Sequence, residues 1–205
     1  PNYRIEETKN LVSTLGNEVV EEFPWKNGMK PSTDDNVEGV LRRTWRPALS
    51  IVGSDGMPST ANAGNVLRPY TTLQLSMRIP PMVDPKKAVH AIEKILEDDI
   101  PYGASVELEF EEAAEGWNAP ESKTWLLNAI EKASKEYFNQ MPCTIGEGGT
   151  IPFMAMLGKQ FPKAQFVITG VLGPQSNAHG PNEFLHIPFA KNLTCCISSI
   201  ITDFQ

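Results

Sequence analysis

Histidine is scarce in this chain, with His90, His179 and His186 the three in 205 residues. No two of them stand four apart on a helix, and the cysteines Cys143, Cys195 and Cys196 form no Cys-x-x-Cys pair, so the spacing excludes a self-contained zinc site. Three cysteines also make no disulfide framework. Cys195 and Cys196 fall in an apolar helical run and read as buried free thiols, which fits a reducing compartment and sets a cytoplasmic location as the expectation. Basic residues are outnumbered, 18 against 25 acids, for a net charge of -7. That balance excludes a general nucleic-acid binder, which needs a basic stripe to displace counterions, and gives no attraction to an anionic membrane surface. No apolar run approaches the ~20 residues that span a bilayer. No Gly-x-Ser-x-Gly elbow announces a serine hydrolase. The N-terminus shows neither an initiator Met nor a signal-peptide core, and a start on Pro1 suggests a piece of a longer chain.

What is present is an ordinary globular composition, 40% apolar and 21% charged, in a chain long enough for one or two cored domains. Ile5, Leu11, Val12, Leu15, Val19 and Val20 recur at helical spacing, which predicts one amphipathic helix over 4–22, followed by a loop over 24–38. Residues 45–52 read as an apolar strand ending in the Gly53–Gly56 turn. Alternation over 71–79 predicts a half-buried strand. Asp84 and Pro85 open a helix to about Asp98, with Ala88, Val89, Ile92, Ile95 and Leu96 on its apolar face. Residues 105–110 alternate again. This order suits helices on an antiparallel sheet, an α+β arrangement over 1–112.

Past the Gly116–Pro120 break the texture changes. A helix is predicted over 122–139, a short one over 151–157, a buried strand over 165–172 and a final helix from Pro188. Helix, strand and helix in alternation predict a partial α/β segment over 113–205. Ligands bind such sheets at loops beyond the strand carboxyl ends, where residues 146–150 and 173–183 would sit.

Three groups of residues could carry chemistry. Gly146, Glu147, Gly148, Gly149 and Thr150 open a helix, so N–H groups and the Thr150 hydroxyl can meet a carboxylate or oxyanion; no Lys follows, which removes a phosphate-binding P-loop. The same spacing equally suits a tight turn. Arg78 ends an alternating strand, where a guanidinium forms either a rim salt bridge or a carboxylate clamp. His179, between small residues on a loop, can serve a metal or be satisfied by backbone. His90 reads as a surface residue, and His186 begins the last helix.

Taken together, three patches resemble the carnosinase and nonspecific dipeptidase branch of the M20 family of dimetal metallopeptidases. They are Ala63 to Pro69 with Leu75 to Pro80, Gly146 to Pro152, and Ala178 to Glu183, in the family's order over about 45–205. The resemblance implies that His179 is a metal ligand, that Arg78 and Asn65 hold the substrate's carboxylate end or backbone, and that Glu147, Gly149 and Thr150 contact substrate. Thr150 stands where those dipeptidases usually have Ser, keeping the hydroxyl; Gly146 stands where they have Arg, removing a positive charge. The resemblance further implies a ferredoxin-like lid over 1–112 that forms homodimers and a catalytic-domain end over 113–205. Two divalent metal ions, zinc first and manganese second, would activate a water for cleaving dipeptides or N-acyl amino acids. The family's His-x-Asp, bridging Asp, Glu-Glu pair and further ligands would all precede Pro1. The parent is therefore expected to be a hydrolase and these 205 residues to be inactive alone. The competing expectation is a non-catalytic dimerisation or binding module.

Overall fold

Two aspartates start helices by the same chemistry. Asp35 accepts hydrogen bonds from the N–H groups of Val37 and Glu38 (2.9 and 3.3 Å), and Asp84 from those of Lys86 and Lys87 (2.9 and 3.2 Å). Each satisfies donors that a first helical turn otherwise leaves unpaired. A computed structural model describes residues 1–147, 152–173 and 175–204. It contains α1 (Asn2–Leu15), α2 (Glu18–Glu21), α3 (Asn36–Thr44), β1 (Ala48–Asp55), β2 (Thr72–Arg78), α4 (Pro85–Glu97), α5 (Thr124–Phe138), α6 (Pro152–Gln160) and α7 (Ile187–Thr202).

The single helix predicted over 4–22 is two. Gly16 takes φ 58° and donates to the Val12 carbonyl at 2.8 Å, ending α1 in a conformation that glycine adopts without steric cost. Helix α3 lies partly in the segment read as loop and partly beyond it. It packs on α1 and α2, burying Val40 against Leu11 and Val19, with Val12 and Val20 at the margin.

The described residues hold one sheet, the antiparallel pair of β1 and β2, running from Ala48 opposite Arg78 to Asp55 opposite Thr72. Its register shifts between Ile51 and Gly53, leaving Val52 as the extra residue of a bulge. Alternation in β2 does not produce the half-buried strand expected. Leu73, Leu75 and Met77 are exposed, as are Leu49 and Ile51 on the same face, and the polar residues of the opposite face are exposed too, so both faces of the hairpin meet solvent.

The strands expected over 105–110 and 165–172 are also absent from the described residues. A strand needs a ladder partner, and an apolar pattern supplies only the side chains. Val167, Ile168, Val171 and Leu172 stand exposed instead. Among the described residues, the region over 1–112 expected to be a ferredoxin-like lid holds α1 to α4 and the hairpin, and the region over 113–205 expected to be an α/β segment holds helices.

The second core lies between α5 and α7. Leu126, Ala129, Ala133, Cys196 and Ile200 are buried there, flanked by Ile130, Tyr137, Phe138 and Ile197. Lys132 on α5 reaches Asp203 just past α7 (2.8 Å), and Cys196 donates to the Ala133 carbonyl at 3.4 Å. The vicinal thiols differ: Cys196 is buried as expected, whereas Cys195, one position round the helix, is exposed.

Residues 115–119 tie the parts together. The Glu115 carboxylate pairs with Lys159 (2.8 Å), Trp117 meets Phe166 edge-on with centroids 5.1 Å apart, and Asn118 and Ala119 accept hydrogen bonds from Arg4. Among the described residues no helix is long and apolar enough to cross a membrane.

Candidate functional site

The loop that carries His179 is built by its own polar groups. Ser176, buried, donates from its hydroxyl to the Gly173 carbonyl at 2.7 Å, and its carbonyl accepts from the Phe184 N–H at 3.2 Å, closing the loop on itself. Asn177 donates to the Pro181 carbonyl at 2.5 Å, and its own carbonyl accepts from the Gly180 N–H at 2.9 Å. Gln175, Asn177, His179 and Asn182 all take left-handed backbone angles, with φ between 55° and 66°. Asparagine tolerates this region; for histidine it costs about 1 kcal/mol, which the surrounding hydrogen bonds must offset. The result is an exposed imidazole at a fixed corner, without an ion pair or hydrogen bond among the described residues.

The other two histidines have different tasks. His186 caps α7, its Nδ1 accepting from the Phe189 N–H at 3.1 Å. His90 lies on exposed α4, 3.6 Å from Glu93, and is the surface residue that was expected.

Arg78 closes β2 opposite Ala48. Asn65 lies exposed in the connection that leaves the other end of the ladder, at Asp55 and Thr72. Six residue steps along the strand separate Thr72 from Arg78 by about 20 Å, so the 56–71 connection must fold back along the sheet for the two side chains to share a ligand. Glu147 is exposed. Gly149 and Thr150, also expected to touch substrate, lie outside the described residues. No hydrogen bond or ion pair among the described residues joins His179, Asn65 and Glu147 to one another.

Gly146, next to Glu147, rests on the Trp45 indole: a β-carbon there would lie 2.6 Å from Trp45 Nε1 and 3.1 Å from Thr44 Cβ. Gly158 on α6 sits on Trp117 in the same way, 2.7 Å from its Nε1. These seats were missed in the sequence, where Gly146 read as turn and Trp117 as part of a break. The signal that could have found them is weak, a pair of glycines and a pair of tryptophans with nothing local to match them.

A metal needs several donors at once. Among the described residues no group of three or more His, Cys, Asp or Glu side chains converges. The donors present therefore do not fit a metal site within the described chain; His179 offers one nitrogen at most.

The family model for peptidase family M20/M25/M40 matches residues 5–203. The chain is 29% identical over 156 residues to the cysteinylglycine-S-conjugate dipeptidase of Corynebacterium striatum, a match covering 71% of this chain and 33% of that protein. It is 27% identical over 181 residues to the Cys-Gly metallodipeptidase DUG1 of Candida albicans, covering 82% and 35% respectively. Its fold is similar to that of the M20 family metallo-carboxypeptidase Sso-CP2 from Sulfolobus solfataricus, with a TM-score of 0.71 at 18% identity over 98% of this chain and 44% of that one. The chain thus spans about a third of the length of these two curated relatives. With the family model covering nearly all of it, the chain belongs to peptidase family M20/M25/M40.

Proposed function

We propose that these residues are the C-terminal portion of a metal-dependent dipeptidase, a hydrolase of dipeptides or N-acyl amino acids. What supports this is His179, an exposed imidazole held at a left-handed corner, in a chain the family model matches over residues 5–203 and whose relatives are named dipeptidases. In this reading His179 contributes one ligand to a site for two divalent ions, zinc or manganese, whose other donors come from polypeptide beyond these 205 residues. When bound, the ions would supply Lewis-acid activation of the scissile amide and of water. The chain's own residues would do the rest. Arg78 and Asn65 would hold the substrate's carboxylate end, and Glu147 with Gly149 and Thr150 would contact the peptide. Residues 1–112 would form the lid and dimer contact, and 113–205 the end of the catalytic domain. The 205 residues alone would be inactive. Cytoplasmic residence completes the proposal, and three free thiols are compatible with it.

The test is made in the longer enzyme. His179→Ala should abolish metal-dependent dipeptide hydrolysis, and unchanged turnover at saturating metal would remove the ligand role. Arg78→Ala should raise KM for free dipeptides far more than for carboxyl-blocked ones; equal effects would remove the clamp.

A second reading rests on a different observation. One face of the β1–β2 hairpin, with Leu49, Ile51, Leu73, Leu75 and Met77, is apolar and exposed, which suits a non-catalytic pairing module. A concentration-independent monomer in light scattering at tens of micromolar would count against it.

A further inference from the structure

Arg4 is the buried cation among the described residues, with 9% of its surface exposed. Its guanidinium makes four hydrogen bonds. Nη1 donates to Glu7 Oε2 (2.7 Å), Nε and Nη2 donate to Asn118 Oδ1 (3.3 and 3.2 Å), and Nη2 also donates to the Ala119 carbonyl (2.6 Å). Its Cζ lies over two aromatic rings, Tyr3 with the centroid at 4.7 Å and Trp45 at 5.1 Å. Asn118 is held in turn by donating to the Tyr3 hydroxyl at 2.9 Å.

These contacts put Arg4 between the two glycine seats. On one side it stacks on Trp45, against which Gly146 is pressed. On the other it grips the residues that follow Trp117, against which Gly158 is pressed. A planar fork that stacks and hydrogen-bonds at once is a property of arginine and not of lysine. In a desolvated setting its cation–π contact is worth more than at a surface.

We infer that Arg4 is a positioning residue: it locks the Trp45 and Trp117 indoles into one unit, and that unit fixes Gly146 and Gly158, from which Glu147 and α6 take their places. The consequence for catalysis rests on the reading above that Glu147 contacts substrate. A glycine at 146 is then a requirement of the seat, since any β-carbon would displace the indole that Arg4 holds.

The first arm of the test needs no activity. The chain labelled with 5-fluorotryptophan gives one fluorine resonance each for Trp25, Trp45, Trp117 and Trp125, assigned by single Trp→Phe variants. Arg4→Met should shift the Trp45 and Trp117 resonances and leave those of Trp25 and Trp125 in place. Because Arg4→Met leaves buried polar partners unpaired and threatens folding, Gly146→Ala is the second variant. It should move Trp45 directly and Trp117 with it, through Arg4; movement of Trp45 alone would overturn the inference. The second arm is kinetic, in the longer enzyme. Gly146→Ala should raise KM for dipeptides about tenfold with kcat little changed, as expected for a misplaced contact group, and an unchanged KM would overturn the positioning role. If Glu147→Gln leaves KM unchanged while the coupled resonance shifts persist, the substrate reading of Glu147 fails and the Arg4 tether stands.

Discussion

The α5–α7 pair and the β1–β2 hairpin draw on the same kind of residue and end in opposite states. Both are patterned with aliphatic side chains at the period of their element. In α5 and α7 the pattern finds its complement within the chain, and Leu126, Ala133 and Cys196 fall to 6% exposure or less. In the hairpin Ile51 keeps 64% and Leu75 43% of its surface exposed. Patterning therefore declares which face wants cover, and only the presence of a partner decides whether it gets one. The total surface makes the same point. At 16090 Å² it far exceeds the roughly 9,500 Å² expected of a compact monomer of 22.6 kDa.

The largest effect should separate the two regions outright. Leu126→Ala removes a side chain 1% exposed and should cost about 2–5 kcal/mol in urea unfolding followed by circular dichroism, while Leu75→Ala should stay within about 0.5 kcal/mol. Equal losses would mean that the hairpin is covered in solution, and the contrast would dissolve. Next in size, an uncovered hairpin should self-associate or bind a hydrophobic dye. Replacing Ile51 and Leu75 together by Thr should lower the dye signal without moving the α5–α7 transition. A dye signal unchanged in that variant would place the sticky surface elsewhere. Removing a cap comes third: Asp84→Ala should destabilise α4 by about 1 kcal/mol, and Asp84→Asn much less; equal losses for both would deny the cap.

The smallest effects are electrostatic and have opposite pH signs. Hydrogen bonds from Arg46 and Arg42 hold the Glu38 carboxyl below its ordinary value, so its contribution to α3 is present above that value and fades as acid takes the pH through the lowered one. Asp203 holds the Lys132 ammonium above its ordinary value, so that contribution persists through neutrality and is lost as alkali passes the raised value. Lys132 is exposed and Glu38 partly so, and salt should blunt both effects. Titrating Arg46→Ala and Asp203→Asn should flatten the acid and the alkaline limb respectively.

How much was legible follows the same division. Helices α4, α5 and α7 were readable because period and cap agree locally: Asp84 before Pro85, and Leu126, Ala129 and Ala133 on one face. Helix α3 was overlooked although Asp35, with Glu38 three residues on and Arg42 and Arg43 in the last turn, announces it. The expected strands at 105–110 and 165–172 could not be checked from sequence, because pairing is a non-local property that their residues do not encode alone. For the candidate site, His179 was legible as an imidazole among small residues, and its left-handed corner was not. The Arg4 tether was invisible, since Arg4 and Asn118 stand 114 positions apart.

Cys195 and Cys196 extend the contrast in a practical direction. Consecutive positions on α7 place one sulfur in water and the other against α5, where burial, Cys195 and Glu136 together raise the Cys196 thiol above its usual range. The helix thus carries a built-in clock: an alkylating reagent should cap the outer sulfur at once and reach the inner one only when the two helices part. The ratio of the two rates would then gauge how often that interface breathes, without any engineered label.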